Sequence, residues 1–130
     1  MQNLGEEIGQ KLHAGDVVLL RGELGAGKTT FTQGVGRSLG IEQLTSPTFV
    51  ISKIYASVIP LVHVDAYRLL GDEIAIFDDL DLESRIPQSI TIIEWGNGFV
   101  ERLTESFIEI NIDFGVNPDE RIVTVTGLAT

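Results

Sequence analysis

Residues 22–29 have the strongest chemical signature in this sequence. They are Gly-Glu-Leu-Gly-Ala-Gly-Lys-Thr and fit G-x-x-x-x-G-K-[ST], the pattern of a phosphate-binding loop. Glycines there let several backbone N–H groups turn towards one point and bind phosphate oxygens. The helix that follows adds the positive end of its dipole. We therefore predict a nucleotide site, with Lys28 on the β- and γ-phosphates and the Thr29 hydroxyl on Mg²⁺.

An acidic residue ends each of two predicted strands. Glu94 follows the apolar run 89–93, and Asp65 follows the run 61–64. Nucleotide-binding α/β folds place a magnesium-side carboxylate at such a strand end, so Glu94 is our candidate, acting mostly through the metal's water shell. Asp65 could order a metal-bound water or the attacking water. His63 lies on the same side of its strand, and its simpler interpretation is a half-buried packing residue.

Two further segments carry weaker signals. Residues 45–48, Thr-Ser-Pro-Thr, could form a switch-like loop over a γ-phosphate, or they could be ordinary turn chemistry. The acidic residues between 72 and 83 lack the spacing of a calcium loop, so a solvated face or a partner-binding edge is the better interpretation.

Composition excludes several classes of function. The chain has 130 residues, no cysteine and two histidines, which argues against disulfides, thiolate zinc sites, cysteine nucleophiles and His-rich metal sites. Nine Lys and Arg face nineteen Asp and Glu, a net charge of −10, which disfavours direct binding of nucleic acid or anionic membranes. No bilayer-spanning run or signal peptide is recognisable, so we expect a cytoplasmic protein.

The elements that must position these residues are those of an α/β protein with a mixed sheet. A helix is expected over residues 4–12, capped by Asn3 and ended at Gly15. Residues 17–20 should form a buried strand before the glycine loop, and residues 28–39 the helix after it, closed by Gly40.

Two pairs of strands should form hairpins. Residues 48–55 and 61–64 are too close in sequence for a parallel crossover, so they should pair as an antiparallel hairpin. Residues 107–114 and 121–126 should form a second hairpin, and residues around 99–103 a helix.

The identity of the nucleotide follows only weakly from the residues. None of the three lysines lies in an Asn-Lys-x-Asp setting that would read guanine, which favours ATP. The six arginines are scattered singly, and the chain is short for a kinase with a lid. A small-molecule kinase, or a nucleotide-binding switch without useful turnover, remains an alternative.

Four segments, in order, carry a resemblance to a known family. They are residues 22–31, 46–49 (Ser-Pro-Thr-Phe), 63–68 (His-Val-Asp-Ala-Tyr-Arg) and 93–95 (Ile-Glu-Trp). Together they resemble the bacterial TsaE (YjeE-type) ATPases of tRNA threonylcarbamoyladenosine biosynthesis. The resemblance extends from about residue 4 to residue 100, and the final hairpin is nonspecific. Gly96 and Asn97 depart from the family, where Pro-Glu or a similar pair is frequent.

The resemblance implies one P-loop ATPase domain over residues 1–130. Its fold would be α/β, a P-loop NTPase-like three-layer fold with a mixed, partly parallel central sheet. It also implies binding of ATP and Mg²⁺, hydrolysis that is weak for the chain alone, and action with the TsaB–TsaD pair. That pair transfers the threonylcarbamoyl group to a tRNA adenosine, so this chain would meet tRNA only indirectly, and neither DNA nor a membrane.

Site residues carried over by position fall into three groups. Lys28, Asp65 and Glu94 would be catalytic, and Thr29 and Glu94 would serve the metal. The nucleotide would be held by the loop and the start of its helix, namely Glu23, Leu24, Gly25, Ala26, Gly27, Lys28, Thr29 and Thr30. Lys28 and a magnesium ion are the obvious positive charges, with Arg68 as one further candidate. We therefore expect a partner surface to complete the site.

Overall fold

The computed structural model describes residues 1–22, 26–42, 44, 52–65, 82–94, 100, 104 and 106–127. In that part of the chain the helices are α1 (Gln2–Gly9) and α2 (Lys28–Ser38), followed by a short helix Leu82–Arg85 and a 3₁₀ turn Ile86–Gln88. The strands are β1 (Val17–Gly22), β2 (Ser52–Tyr55), β3 (Leu61–Asp65), β4 (Ile90–Glu94), β5 (Ile108–Phe114) and β6 (Arg121–Thr126). None of the described helices is long and apolar enough to cross a bilayer.

The six described strands form one mixed sheet in the order β2-β3-β4-β1-β5-β6. The inner pairs β3–β4, β4–β1 and β1–β5 are parallel. The edge pairs β2–β3 and β5–β6 are antiparallel, which confirms both predicted hairpins and the mixed sheet. The predicted extension of β2 back to residue 48 lies outside the described residues. The order places β1, which enters the glycine loop, directly beside β4, which ends at Glu94.

Central strands of the sheet are buried on both faces. Val17, Val18, Leu19 and Leu20 of β1 are all at most 3% exposed, and every residue of β4 is buried. Such continuous apolar runs are typical of parallel strands covered on both sides. The two helices lie on one of these faces, where Phe31 and Val35 join Leu20 in the main core cluster.

Helices α1 and α2 cross with their backbones almost in contact. A Cβ atom added at Gly34 would lie 2.0 Å from the Gln2 carbonyl oxygen, and one at Gly5 would lie 2.1 Å from the Phe31 carbonyl oxygen. No side chain fits in either gap, so glycine is required at this crossing. The close contact fixes α1 against the helix that begins at Lys28.

The prediction for α1 was wrong at both ends. Asn3 lies inside the helix and is exposed, because Met1 occupies the N-cap position. The helix ends at Gly9 rather than near Gly15, because the next amides bond three residues back: Lys11 to the Ile8 carbonyl and Leu12 to the Gly9 carbonyl. That tighter 3₁₀-type pattern ends the α-helix while Leu12 still reaches the core. By contrast, α2 ends as predicted, with Gly40 at a φ of +82° just beyond it.

Candidate functional site

The last glycine before α2 has a backbone conformation that favours glycine. Gly27 precedes α2 with φ +112°, a left-handed conformation that strains any residue with a Cβ. Its carbonyl accepts a 2.9 Å hydrogen bond from the amide of Phe31, which begins the helical ladder. Helix α2 therefore begins directly after Gly27. Glu23, Leu24 and Gly25 lie outside the described residues, so their predicted contacts stay predictions.

Lys28 is the first residue of α2, and its charged end lies in this turn. Only 7% of the residue is exposed, and Nζ donates a 2.5 Å hydrogen bond to the Gly22 carbonyl oxygen at the end of β1. The ammonium thus bridges the two ends of the glycine loop. A buried lysine therefore lies at a helix N-terminus in a chain of net charge −10.

Other predicted ligands follow Lys28 on the first turn of α2. Thr29 is half-buried and Thr30 is exposed, whereas Ala26 before them is buried. These positions surround the same turn as Lys28. Their roles towards phosphate and metal stay predictions.

Glu94 ends β4 on the side of the sheet that carries α2. Ile92, two residues earlier, belongs to the core cluster with Phe31, and side chains two apart on a strand share a face. Glu94 is level with Leu20 of β1 and with Asp65 of β3. It is only 6% exposed, so a carboxylate is held in the protein interior close to the strand that feeds the glycine loop.

His63 was wrongly interpreted as a half-buried packing residue. It is completely buried, and its Nε2 lies 2.6 Å from Glu94 Oε2, a hydrogen bond between β3 and β4. The sequence offered one signal, a histidine on a strand that ends in an acidic residue. The partner is, however, 31 positions away, and only the β3–β4 pairing identifies it. Asp65 ends β3 at this same edge of the sheet, but its side chain lies outside the described part of the chain.

Arg121 contacts the loop, although the sequence gave no indication that it would. It begins β6, and its Nε donates a 3.1 Å hydrogen bond to the Ala26 carbonyl oxygen. Nη1 donates to the carbonyl oxygens of Pro118 and Glu120, and the guanidinium lies 4.4 Å from the centre of the Phe114 ring. Arg121 reaches the loop because β5 pairs with both β1 and β6.

A cavity of about 570 Å³ opens beside the turn. Its walls come from α1, the start of α2 and the β5–β6 hairpin: Met1, Leu4, Ala26, Gly27, Thr30, Asp119, Arg121 and Val123. The volume lies within the range of small-molecule sites, which combine apolar walls with a few polar groups. The remaining candidates from the sequence, residues 45–48, Arg68 and the acidic residues 72–81, lie outside the described residues.

A strand, a glycine loop with a buried lysine and a helix, set in a sheet with a parallel centre, define a P-loop NTPase-like α/β fold. The crystal structure of Bacillus subtilis YdiB has the same fold, with a TM-score of 0.76 and 32% sequence identity. The alignment covers 99% of this chain and 82% of that one.

The family model for threonylcarbamoyl adenosine biosynthesis protein TsaE matches residues 1–122. The chain belongs to the TsaE family. The tRNA threonylcarbamoyladenosine biosynthesis protein TsaE of Streptomyces coelicolor is 51% identical over 137 residues, covering 98% of this chain and 90% of that protein. The TsaE protein of Mycobacterium tuberculosis strain H37Rv is 38% identical, with 93% and 77% covered, and that of Bacillus subtilis strain 168 is 40% identical, with 88% and 71% covered.

Proposed function

We propose that this chain is an ATP-binding, Mg²⁺-dependent ATPase subunit of cytoplasmic tRNA threonylcarbamoyladenosine biosynthesis, weakly active alone and completed by the TsaB–TsaD pair. One observation carries the nucleotide-binding part of this proposal. The Lys28 ammonium lies inside the β1–α2 turn, 2.5 Å from the Gly22 carbonyl oxygen, at the N-terminus of a helix. Membership of the TsaE family supports the pathway.

The Lys28 ammonium is suited to bind phosphate as well as a carbonyl. The Gly22 carbonyl is an uncharged acceptor, whereas a phosphate oxygen forms a charge-assisted hydrogen bond that is roughly twice as strong. The amides at the start of α2 supply further donors to the same point. Phosphate groups are therefore the ligands that this turn suits best.

The neighbouring cavity suits the nucleoside part of ATP. It begins at Gly27 and Thr30, beside the expected phosphate position, and continues between Met1, Leu4 and Val123. Apolar walls of this kind pack against a flat base, while Asp119 and Arg121 add polar groups at the rim. Phosphates on Lys28 and a base in the cavity would make one continuous site.

The residues at the strand ends suit a magnesium ion. Mg²⁺ prefers oxygen ligands and keeps several waters, and Thr29 and Glu94 offer a hydroxyl and a carboxylate on the same side of the sheet. When bound, the ion would neutralise charge on the transferring phosphoryl group. Glu94 would hold the water shell in place, and Asp65, at the end of β3, is our candidate for positioning the attacking water.

Partner dependence follows from the charges around the site. Phosphoryl transfer depends on positive charge at the transferring group, and an added arginine can raise the rate by several orders of magnitude. In the described part of the chain, Lys28 and Arg121 are the cations at the glycine loop, and Arg121 is already bonded to the Ala26 carbonyl. A partner surface that supplies a cation or closes residues 45–48 over the phosphates would raise the rate.

The proposal is tested by calorimetric binding of MgATP and by phosphate release, first from the chain alone and then with TsaB and TsaD. We expect binding by the chain alone, slow release, and faster release with the pair. A fast enzyme that ignores the pair would contradict partner dependence. ATP consumption only with a small-molecule acceptor would indicate a kinase, and binding without turnover under every condition would indicate a switch.

A further inference from the structure

We infer that His63 is a positioning residue that holds the Glu94 carboxylate in place for the magnesium end of the site; this rests on the proposed function. The buried hydrogen bond between His63 Nε2 and Glu94 Oε2, 2.6 Å long, carries the inference. It joins β3 to β4 at the strand ends where the reacting groups are expected. Neither the glycine loop nor Lys28 takes part in it.

The inference requires the imidazole hydrogen on Nε2. A carboxylate that carries no hydrogen only accepts hydrogen bonds, so Nε2 is the donor in that pairing. Nδ1 is buried and has no hydrogen-bond partner among the described residues. A hydrogen on Nδ1 would leave that donor unpaired and would set the Nε2 lone pair against a carboxylate oxygen. The tautomer with hydrogen on Nε2 avoids both costs.

Rigid surroundings make His63 an effective support. It is 0% exposed, and its strand is registered against β2 on one side and β4 on the other. A side chain buried on a central region of the sheet has little room to move. Engaging Oε2 from this fixed point leaves Oε1 as the oxygen that we assign to the metal's water shell. Groups that orient metal-side carboxylates in this way typically change metal affinity or activity 10- to 100-fold when they are replaced.

Two substitutions at His63 separate positioning from packing. His63→Met fills a similar volume without a donor, whereas His63→Gln retains an N–H group three bonds from Cβ, as Nε2 is. Calorimetry would measure ADP affinity across a series of Mg²⁺ concentrations and in EDTA. We expect His63→Met to raise the Mg²⁺ concentration for half-maximal effect at least tenfold, with ADP affinity in EDTA within about twofold of wild type. His63→Gln should recover most of the Mg²⁺ response.

The outcomes distinguish this inference from the function on which it rests. A wild-type protein that binds ADP without any response to Mg²⁺ contradicts the magnesium part of the proposed function and this inference together. A normal wild-type response that His63→Met leaves unchanged overturns the role of His63 alone. Equal damage from His63→Met and His63→Gln also overturns it, because only the shape of the side chain would then matter.

A spectroscopic measurement on the wild-type protein decides the point even where His63→Met fails to fold. The chain has two histidines, so His13→Gln assigns the imidazole ¹⁵N signals of His63 directly. We expect the hydrogen on Nε2, and a shift of these signals on adding ADP and Mg²⁺ that Glu94→Gln abolishes. A hydrogen on Nδ1, or the same shift in Glu94→Gln, would overturn the inference.

Discussion

The glycine loop and the His63–Glu94 pair each hold a buried charged group, but they do so by opposite means. Lys28 is paired with a backbone carbonyl six residues away, inside one continuous segment. Glu94 is paired with a side chain 31 residues away, across two strands. The first arrangement depends on local backbone conformation, especially the left-handed Gly27, whereas the second depends on strand order and register. The two halves of the proposed site should therefore fail in different ways.

That contrast separates affinity for phosphate from the response to magnesium. Losing the loop contact should weaken nucleotide binding with or without the ion, because Lys28 would act on the phosphates directly. Losing the strand-end carboxylate should weaken only the gain that Mg²⁺ provides. Arg121 shares features of both arrangements, because it contacts the loop but lies on a strand that is distant in sequence.

The largest effect is expected for Lys28→Ala. Removing a charge-assisted contact worth about 1.5–3 kcal/mol should lower nucleotide affinity roughly 10- to 150-fold, both in EDTA and with Mg²⁺. Lys11→Ala is the matched control, because Lys11 is exposed beyond the end of α1. Calorimetry measures both affinities, and circular dichroism checks the fold. An unchanged affinity for Lys28→Ala would remove the main support for a nucleotide site.

Glu94→Gln should have a smaller and more selective effect. It keeps the shape and size of the side chain but removes the charge that the metal's water shell needs. We expect the increase in nucleotide affinity produced by Mg²⁺ to fall about tenfold, with affinity in EDTA unchanged. Glu7→Gln on the exposed side of α1 makes the same change of charge and should do nothing. Equal losses with and without Mg²⁺ would mean that Glu94 acts through the structure rather than through the metal.

Local chemistry determined how much of the molecule could be predicted. The left-handed Gly27, helix α2 and its end at Gly40 follow from glycine and capping patterns within a dozen residues. Both hairpins follow because the connection 56–60 and the turn around Asn117 are too short for any other pairing. The early end of α1 was missed because the amides of Lys11 and Leu12 bond three residues back, and the spacing of apolar residues does not reveal that change.

The unpredicted parts of the site are those that depend on strand order. Nothing near His63 in the sequence identifies Glu94 as its partner, and nothing near Arg121 indicates the glycine loop. The first contact exists because β3 pairs with β4, and the second because β5 lies between β1 and β6 in the sheet. A motif search along the chain therefore finds residues that are adjacent in sequence, such as residues 22–29. It does not find residues such as His63 and Arg121, whose contacts arise only in the folded sheet.

The smallest effect is expected for Arg121, and it tests whether a distant strand helps to shape the loop. Its Nε–H holds the Ala26 carbonyl at 3.1 Å, while Nη1 and the Phe114 ring hold the guanidinium itself in place. Arg121→Ala removes one hydrogen bond to the loop, worth about 0.5–1.5 kcal/mol, so nucleotide affinity should fall roughly two- to twelvefold.

Arg121→Lys decides whether geometry or charge is responsible. Lysine keeps the positive charge at the edge of the cavity, but it lacks the planar fork that bonds Ala26 and Pro118 at once. If Arg121 acts by holding the loop, Arg121→Lys should lose affinity nearly as much as Arg121→Ala. Arg85→Ala, an exposed arginine on the short helix before β4, controls for the loss of one charge. Full affinity in Arg121→Lys, with a loss only in Arg121→Ala, would show that the charge acts on the nucleotide directly and that the loop needs no support from β6.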